Sequence, residues 1–391
     1  MTEKTNTSLI LQTGILALLI LNVSISFTAF GFLQPLSYLV WGMCCVSFLG
    51  LGIYFVKKPV ITYLDMCILA YITVLVISTL LNGTDIKTAI YRSIEVIVLM
   101  LVYNHWERPD IVIKTFAAIL SLCAYLNLLI MILFPDWMFV AKDVFDSHLL
   151  GGNYNQIGSR LIFALILTVP CMRFSKWWLV NFIFLSIVSI VILAMVGSMT
   201  SLSCIIVFLL FCMIPSIRLQ KAGIVLFFIF YLLFQFGVCF NGEGLYNNKL
   251  AVFIIEDVLG KDITFTNRTQ MWASAAEKFA ESPIMGYGFV DREWYLTQMD
   301  SFAIGPHNFI YSVLLNGGLI LITILIAAVV ITLRRLIGHL DKTATLMLMG
   351  TCIFLFMSTM EVYPFFFFFG LLYALYYYPD LNPERNGNQL Q

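Results

Sequence analysis

Apolar runs recur along the whole chain, several longer than the roughly 18 residues a helical membrane span requires, and no other feature limits the fold as much. Hydrophobic residues make up 61% of the sequence and charged residues 11%. A soluble fold of this length would lack the charge to cover its surface, and a single core could not take in so much Phe, Leu and Ile. In hydrocarbon each backbone N–H and C=O must find its partner within its own segment or a closed barrel, and no period-two alternation points to a barrel. The expectation is an all-α, polytopic membrane protein with about twelve transmembrane helices, at 9–30, 35–56, 61–81, 87–104, 111–134, 157–172, 177–195, 198–214, 223–240, 307–333, 343–359 and 362–378.

Lys and Arg in short loops tend to stay in the cytoplasm. With the N-terminus inside, Lys4, Lys57, Lys58, Arg108, Arg173, Lys176, Arg218, Lys221, Arg334, Arg335, Lys342 and Arg385 all fall on the cytoplasmic side, while Lys87 and Lys142 fall outside. The organisation read from this is helices one to nine over 1–240, a large outer loop over 241–306, helices ten to twelve over 307–378 and a cytoplasmic tail over 379–391. The apolar start reads as a first span, because it is long and Phe30-Gly31-Phe32 offers no small-residue cleavage pattern.

All nine cysteines fall in predicted spans without paired ligand spacing, so they read as small apolar packing residues. Trp41, Trp137, Trp177, Trp178 and Tyr376 to Tyr378 stand near span ends, where aromatic rings sit at headgroup level. The run Phe365 to Phe369 is bulk for lipid or helix packing. No repeat, heptad or Walker-type glycine loop is present, which removes the usual signs of an ATP-driven pump.

Polar chemistry concentrates in the outer loop and at the span ends facing it. From Asn267 an amphipathic helix is expected, with Met271, Trp272, Ala275, Ala276 and Phe279 on one face, Asn267 as N-cap and Gln270 closing a capping-box-like pair. Pro283 ends it, and Gly286 and Gly288 permit a tight return toward the bilayer. Arg268 falls in the first helical turn, where the dipole disfavours a cation and favours an anion, so a guanidinium there suits a phosphate or diphosphate. His307, at the mouth of a span with Asn308 beside it, is a candidate proton-transfer group. Across the bilayer face, Gly151-Gly152-Asn153-Tyr154-Asn155-Gln156 leads into the sixth span, and Arg160 lies about one turn inside it, where an ionisable residue is costly. Arg92 and Glu95 are placed to pair on one helix face. Gly197 to Ser203 offers hydroxyls to a sugar or lets helices approach closely. Glu256, Asp257, Asp262, Asp291, Glu293 and Asp300 are available for sugar hydroxyls, with none singled out as a base.

Asn267-Arg268 with Trp272 downstream, Pro283-Ile284-Met285-Gly286-Tyr287-Gly288, and His307-Asn308-Phe309 followed by Asn316-Gly317-Gly318-Leu319 together resemble the bacterial O-antigen ligase and polymerase superfamily, which includes the Wzy-type polymerases of O-antigen, capsule and exopolysaccharide. Gly152-Asn153-Tyr154-Asn155 is similar to the upstream asparagine motif of that family, and the likeness covers roughly residues 150–335. The resemblance implies a GT-C-like fold and a glycosyltransferase at the outer face of the cytoplasmic membrane. Donor and acceptor would be undecaprenyl-diphosphate-linked oligosaccharides, with no cofactor, nucleotide donor or catalytic metal. Membrane lipid, a flippase and a chain-length regulator of the same pathway are the implied partners, and nucleic acid is not one. Carried over by residue, Arg268 contacts the donor diphosphate and His307 assists the acceptor hydroxyl or the diphosphate, while Asn153, Asn155, Asn267, Tyr287, Asn308 and Arg92 bind substrate. Many relatives open a later span with Ser-Arg, but Gly197 to Ser203 contains no arginine, and Arg160 is the candidate in its place.

Within the family a repeat-unit polymerase is favoured over a ligase that transfers finished glycan to a lipid or protein acceptor, because polymerases are its commoner and more divergent members. From another class, a transporter of lipid-linked glycan would use Arg92, Glu95 and Arg160 to line a passage. One large outer segment without an inner counterpart, and no paired halves, speaks against it.

Overall fold

The computed structural model describes residues 2–26, 34–57, 60–105, 108–135, 148–151, 154–241, 267–299 and 305–381. Lys58, Trp137, Lys142, Asn153, Glu256, Asp257, Asp262, Asp300 and Arg385 lie outside the described residues. The helices are α1 (Thr2–Ser24), α2 (Gln34–Lys57), α3 (Tyr63–Asn82), α4 (Ile86–His105), α5 (Pro109–Leu133), α6 (Tyr154–Cys171), α7 (Lys176–Met195), α8 (Met199–Met213), α9 (Ile217–Phe234), α10 (Arg268–Glu281), α11 (Arg292–Gln298), α12 (Phe309–Ile337), α13 (Lys342–Met357) and α14 (Phe365–Tyr376). A β-type bridge joins Ile25 to Leu150.

Each stretch expected as a span overlaps a helix. Five are long and apolar enough to cross a membrane: α3, α5, α7, α12 and α9 with its continuation to Cys239. The twelve spans expected from sequence are not reached on that measure. The apolar helices α8, α13 and α14 are shorter, and α4 carries Lys87, Arg92 and Glu95 among its apolar residues.

Two helices form the centre. Every residue of α6 from Ile157 to Cys171 is buried, as is every residue of α14. An all-round apolar helix has no face for water and must be enclosed by others. The Phe365 to Phe369 run therefore packs helices: Phe367 meets Phe163 of α6 edge-on at 5.2 Å, and Phe365 and Phe368 meet Phe309 of α12.

The expected aromatic belt needs correction at one end. Trp177 is 80% exposed, as a headgroup ring would be, but Tyr376 and Tyr378 are buried. The Tyr377 hydroxyl donates to Asn104 Oδ1 and that of Tyr378 to Asp341, both at 2.7 Å, so the tyrosines tie helix ends together. Buried phenols need such partners. At this end Asp65 closes a capping box with Thr62 and also accepts from Tyr373 at 2.5 Å, while Arg173 pairs with Asp341 and Arg335 with Asp380. Because α12 runs from Phe309 to Ile337, these basic residues lie about 40 Å from His307 at 1.5 Å per residue.

At the opposite end α12 is broken. Gly317 and Gly318 leave helical geometry, with Gly318 at φ 61°. The chain from Pro283 to Phe289 lies against the break: Tyr287 and Gly288 N–H donate to the Leu315 and Asn316 carbonyls at 2.6 and 3.0 Å, and Leu319 N–H donates to the Pro283 carbonyl at 2.8 Å. A Cβ on Gly318 would overlap the Ile284 backbone. From the other side α3 and the turn after it hold the strip: Ser78 Oγ donates to the Met285 carbonyl at 2.7 Å, Thr84 Oγ1 to that of Tyr287 at 2.9 Å, and Phe289 N–H donates to Thr79 Oγ1 at 2.8 Å. Non-helical backbone at membrane depth is tolerated only when protein satisfies it in this way. The Gly286–Gly288 turn is therefore a clasp that fixes α10 and α11 to the bundle.

Candidate functional site

The start of α12 is sewn to the turn between α13 and α14. Asn308 caps the helix, its Oδ1 accepting Tyr311 N–H at 3.1 Å. Its Nδ2 donates to Gln235 Oε1 at 3.1 Å and to the Thr359 carbonyl at 3.3 Å, and Phe309 N–H donates to the Ser358 carbonyl at 2.8 Å. Gln235 lies in the π-helical turn Gln235–Cys239 that ends α9. Asn308, expected to bind substrate, is thus committed to the scaffold. That scaffold presents His307, whose Nδ1 lies 3.2 Å from Glu361 Oε2, both side chains largely buried. An ionised carboxylate only accepts, so Nδ1 is the donor in this contact. The other Glu361 oxygen accepts Val362 N–H at 3.1 Å, which fixes the carboxylate.

The next side chain along this turn, Tyr363, is buried. Its phenol is in hydrogen-bonding reach of Ser201 and in electrostatic range of both Glu361 and Arg268. The turn thus carries Glu361, which meets His307, and Tyr363, which lies in electrostatic range of Arg268. Ser198 and Ser201 are the buried members of Gly197 to Ser203, their hydroxyls 3.2 Å apart, and a Cβ on Gly158 would strike Ser201. Close approach of α8 to α6 is what the small residues provide.

Arg160, on α6, is 5% exposed. Nη1 donates to the Gln156 carbonyl, Gln156 Oε1 and Ser159 Oγ at 2.8–2.9 Å, Nη2 to the Val23 carbonyl at 3.2 Å, and the guanidinium lies 4.8 Å from the Phe367 ring centre. All of these acceptors are neutral, and among the described residues Nε has no hydrogen-bond partner. Gln156 also donates to the Val362 carbonyl at 2.9 Å, tying Arg160 to the same turn. Arg92, Glu95 and Tyr363 are in electrostatic range of it. Arg92 pairs with Glu95 at 3.1 Å, as its spacing on α4 predicts, and Glu95 also accepts from Asn22 at 3.4 Å. Among the described residues, the Arg92–Glu95 pair lies in electrostatic range of Arg160, and Tyr363 lies in range of Arg160, Glu361 and Arg268.

Backbone strain gathers here too. Among the described residues, the non-glycine residues with left-handed φ are Asn267 (66°) and His307 (43°). Such conformations persist where surrounding structure enforces them, often at working sites. For Asn267 this corrects the sequence reading: Arg268 does open α10, but the Asn267 side chain makes no capping bond, because capping needs an extended backbone at that residue. Asn155 is half-buried in the first turn of α6, four residues before Ser159.

Tyr287 stands apart. Its hydroxyl donates to the Lys278 carbonyl at 2.9 Å and contacts Glu281 at 3.2 Å, and its ring, with Trp294, borders a cleft of about 630 Å³ between the α3–α4 turn and α11. Burial, and the Glu281 carboxylate beside it, push the phenol up to about 12, so it remains a donor at neutral pH. Lys278 in turn holds Glu281 below the usual carboxylate range.

Sequence reasoning missed Glu361 and Tyr363, and saw Gln156 only as part of the polar Gly151–Gln156 stretch. The signal for Glu361 was present: an ionisable residue in a short turn between two apolar stretches is a functional suspect by cost alone.

Residues 182–326 match the family described as O-antigen ligase. The match supports the O-antigen ligase and polymerase superfamily. It runs from α7 into α12, so it takes in Ser201, Arg268, the Gly286–Gly288 clasp, His307 and the Gly317–Gly318 break, and leaves Arg92, Arg160 and Glu361 outside. Enzymes of this family transfer glycosyl groups in membranes. No curated protein matches the chain.

Proposed function

We propose that this protein polymerises polyprenyl-diphosphate-linked oligosaccharide repeat units at the outer face of the bacterial cytoplasmic membrane, spanning it about twelve times with both termini inside. The observation that supports the reading is Arg160, buried and bonded, among the described residues, to neutral oxygens. Such a guanidinium is costly to bury, and an anion that completes it removes the cost. A diphosphate supplies that anion, and arginine suits it through its planar set of donors.

The chemistry follows from the same residues. Diphosphate is already a good leaving group, so Arg268 and Arg160 stabilise the charge that develops as its bond to the anomeric carbon breaks. His307 Nε2 accepts the proton of the attacking hydroxyl, while Glu361 holds the ring and stabilises the imidazolium that forms. Ser201, beside the Tyr363 phenol, is available to sugar hydroxyls, and Asn155 stands in the first turn of the helix that carries Arg160.

Purified protein in nanodiscs, supplied with lipid-linked repeat unit, is expected to yield a ladder of longer glycans on the carrier. Absence of any new glycosidic bond while the substrate crosses the bilayer would reverse the assignment in favour of transport. The description of the matching family favours a second reading, ligation of finished glycan to another acceptor. Deletion in the native host separates the two: single repeat units left on the carrier support polymerisation, and long chains left there support ligation.

A further inference from the structure

We infer that the cleft between the α3–α4 turn and α11 is a saccharide-binding site for the uncharged sugars of the lipid-linked substrate, distinct from the arginine pocket that takes its diphosphate. The inference rests on the glycosyl-transfer reading above. At about 630 Å³ the cleft falls within the roughly 300–1,000 Å³ range of small-molecule sites and exceeds what a single ion needs.

Its lining has the opposite electrostatic sign to the arginine pocket. Asp85, Asp291 and Glu293 contribute three carboxylates against the single ammonium of Lys87, so a phosphate is repelled and the acceptor oxygens are matched to hydroxyl donors. The aromatic wall supplies the other half of sugar recognition. Trp294 and Tyr287 lie with ring centres 5.0 Å apart, and a ring face suits the C–H face of a pyranose. The wall is preorganised: Tyr287 is anchored through Lys278 and Glu281, and Asp291 caps α11 by accepting Trp294 N–H at 2.8 Å. Asp85 likewise accepts from Thr88 at the start of α4.

Position connects the two sites. On α4, Lys87, Tyr91 and Glu95 recur every fourth residue and so share a face. That face leads about 12 Å from the cleft to the Arg92–Glu95 pair. A lipid-linked substrate whose diphosphate reaches the arginines has its sugars at the level of the cleft.

The test uses the full chain in nanodiscs and, as probe, lipid-free oligosaccharide released by mild acid from the host's own lipid-linked repeat units. Saturation-transfer NMR titration is expected to show binding to the wild type and ~10-fold weaker binding to Glu293→Gln and Trp294→Phe, the loss of one good contact each. Inorganic pyrophosphate should bind these variants as it binds the wild type and should lose affinity in Arg268→Ala. Equal oligosaccharide binding by wild type and both cleft variants, or none by the wild type, overturns the inference while leaving the proposed activity to its own test. Polymer made normally by Arg268→Ala, with saccharide binding still lost in the cleft variants, would instead remove the diphosphate reading and keep the cleft.

Discussion

The two ends of the helical bundle treat charge and backbone in opposite ways. At the end carrying Arg173 and Arg335, each guanidinium meets a carboxylate, Asp341 at 3.2 Å and Asp380 at 2.5 Å, and all four side chains remain more than a third exposed. At the other end Arg160 is enclosed and, among the described residues, bonded to neutral oxygens, α12 is interrupted at Gly317–Gly318, and Asn267 and His307 hold left-handed φ. Water and exposed pairing make the Arg173 and Arg335 ion pairs cheap and nearly indifferent to substitution. The second end stores cost in both electrostatics and conformation, and such cost is retained where it does something other than hold the fold together.

The largest effect expected from this contrast is the separation of activity from stability at Arg160. Arg160→Met fills the same space without charge, so glycan elongation should fall ~10²–10³-fold through lost charge stabilisation. Thermal stability should stay level or rise, because replacing an unpaired buried charge with an apolar side chain removes desolvation cost. Elongation assays beside a melting curve check this. Normal elongation, or a large drop in melting temperature, would make Arg160 a structural residue and dissolve the contrast.

Glu361→Gln comes next. The amide keeps a hydrogen-bonding side chain in place but no longer stabilises a charged imidazole, and kcat is expected to fall ~10²-fold with little change in KM. Loss confined to KM would instead place Glu361 among substrate contacts. Gly318→Ala tests the conformational half of the contrast. A Cβ there overlaps the Ile284 backbone at a φ that side chains avoid, so a destabilisation of ~1–3 kcal/mol is expected, read as a lower melting temperature.

Much of this contrast was legible in the sequence. Apolar runs gave the helices, the Lys and Arg distribution gave the basic end, Arg92 and Arg160 stood out because charge near lipid is costly, Arg268 because it opens a helix, and His307 because an imidazole stands at the mouth of a span. The partners of His307 and Arg268 were not legible, because they come from the turn at 358–364, whose Glu361 and Tyr363 are brought in by the packing of α13 and α14. The glycine turn misled in a different way. Its residues are those of a tight turn, and a tight turn forms, but only the broken α12 reveals that its backbone groups serve as ladder partners for Leu315, Asn316 and Leu319. Asn267 failed as a cap for a reason local pattern cannot carry, since a composition suited to capping says nothing about the φ that the approach of the loop imposes.

The smallest expected effect is at the opposite end, and it is as informative as the largest. Arg335→Ala removes a guanidinium paired with Asp380 and placed 4.5 Å from the centre of the Tyr376 ring, both charged partners more than a third exposed. An exposed ion pair contributes ~0–1 kcal/mol, and an exposed cation–π contact adds about 0.5–1 kcal/mol. Elongation should therefore be unchanged and the melting temperature lowered slightly at most. Repeating the melt in high salt should shrink even that difference, because exposed charges are screened within about 10 Å at 0.1 M ionic strength. The Arg160→Met difference in activity should survive the same salt, since a buried guanidinium is screened far less. Equal salt sensitivity at the two positions would mean that water reaches both, and the two ends would then differ in composition but not in dielectric character.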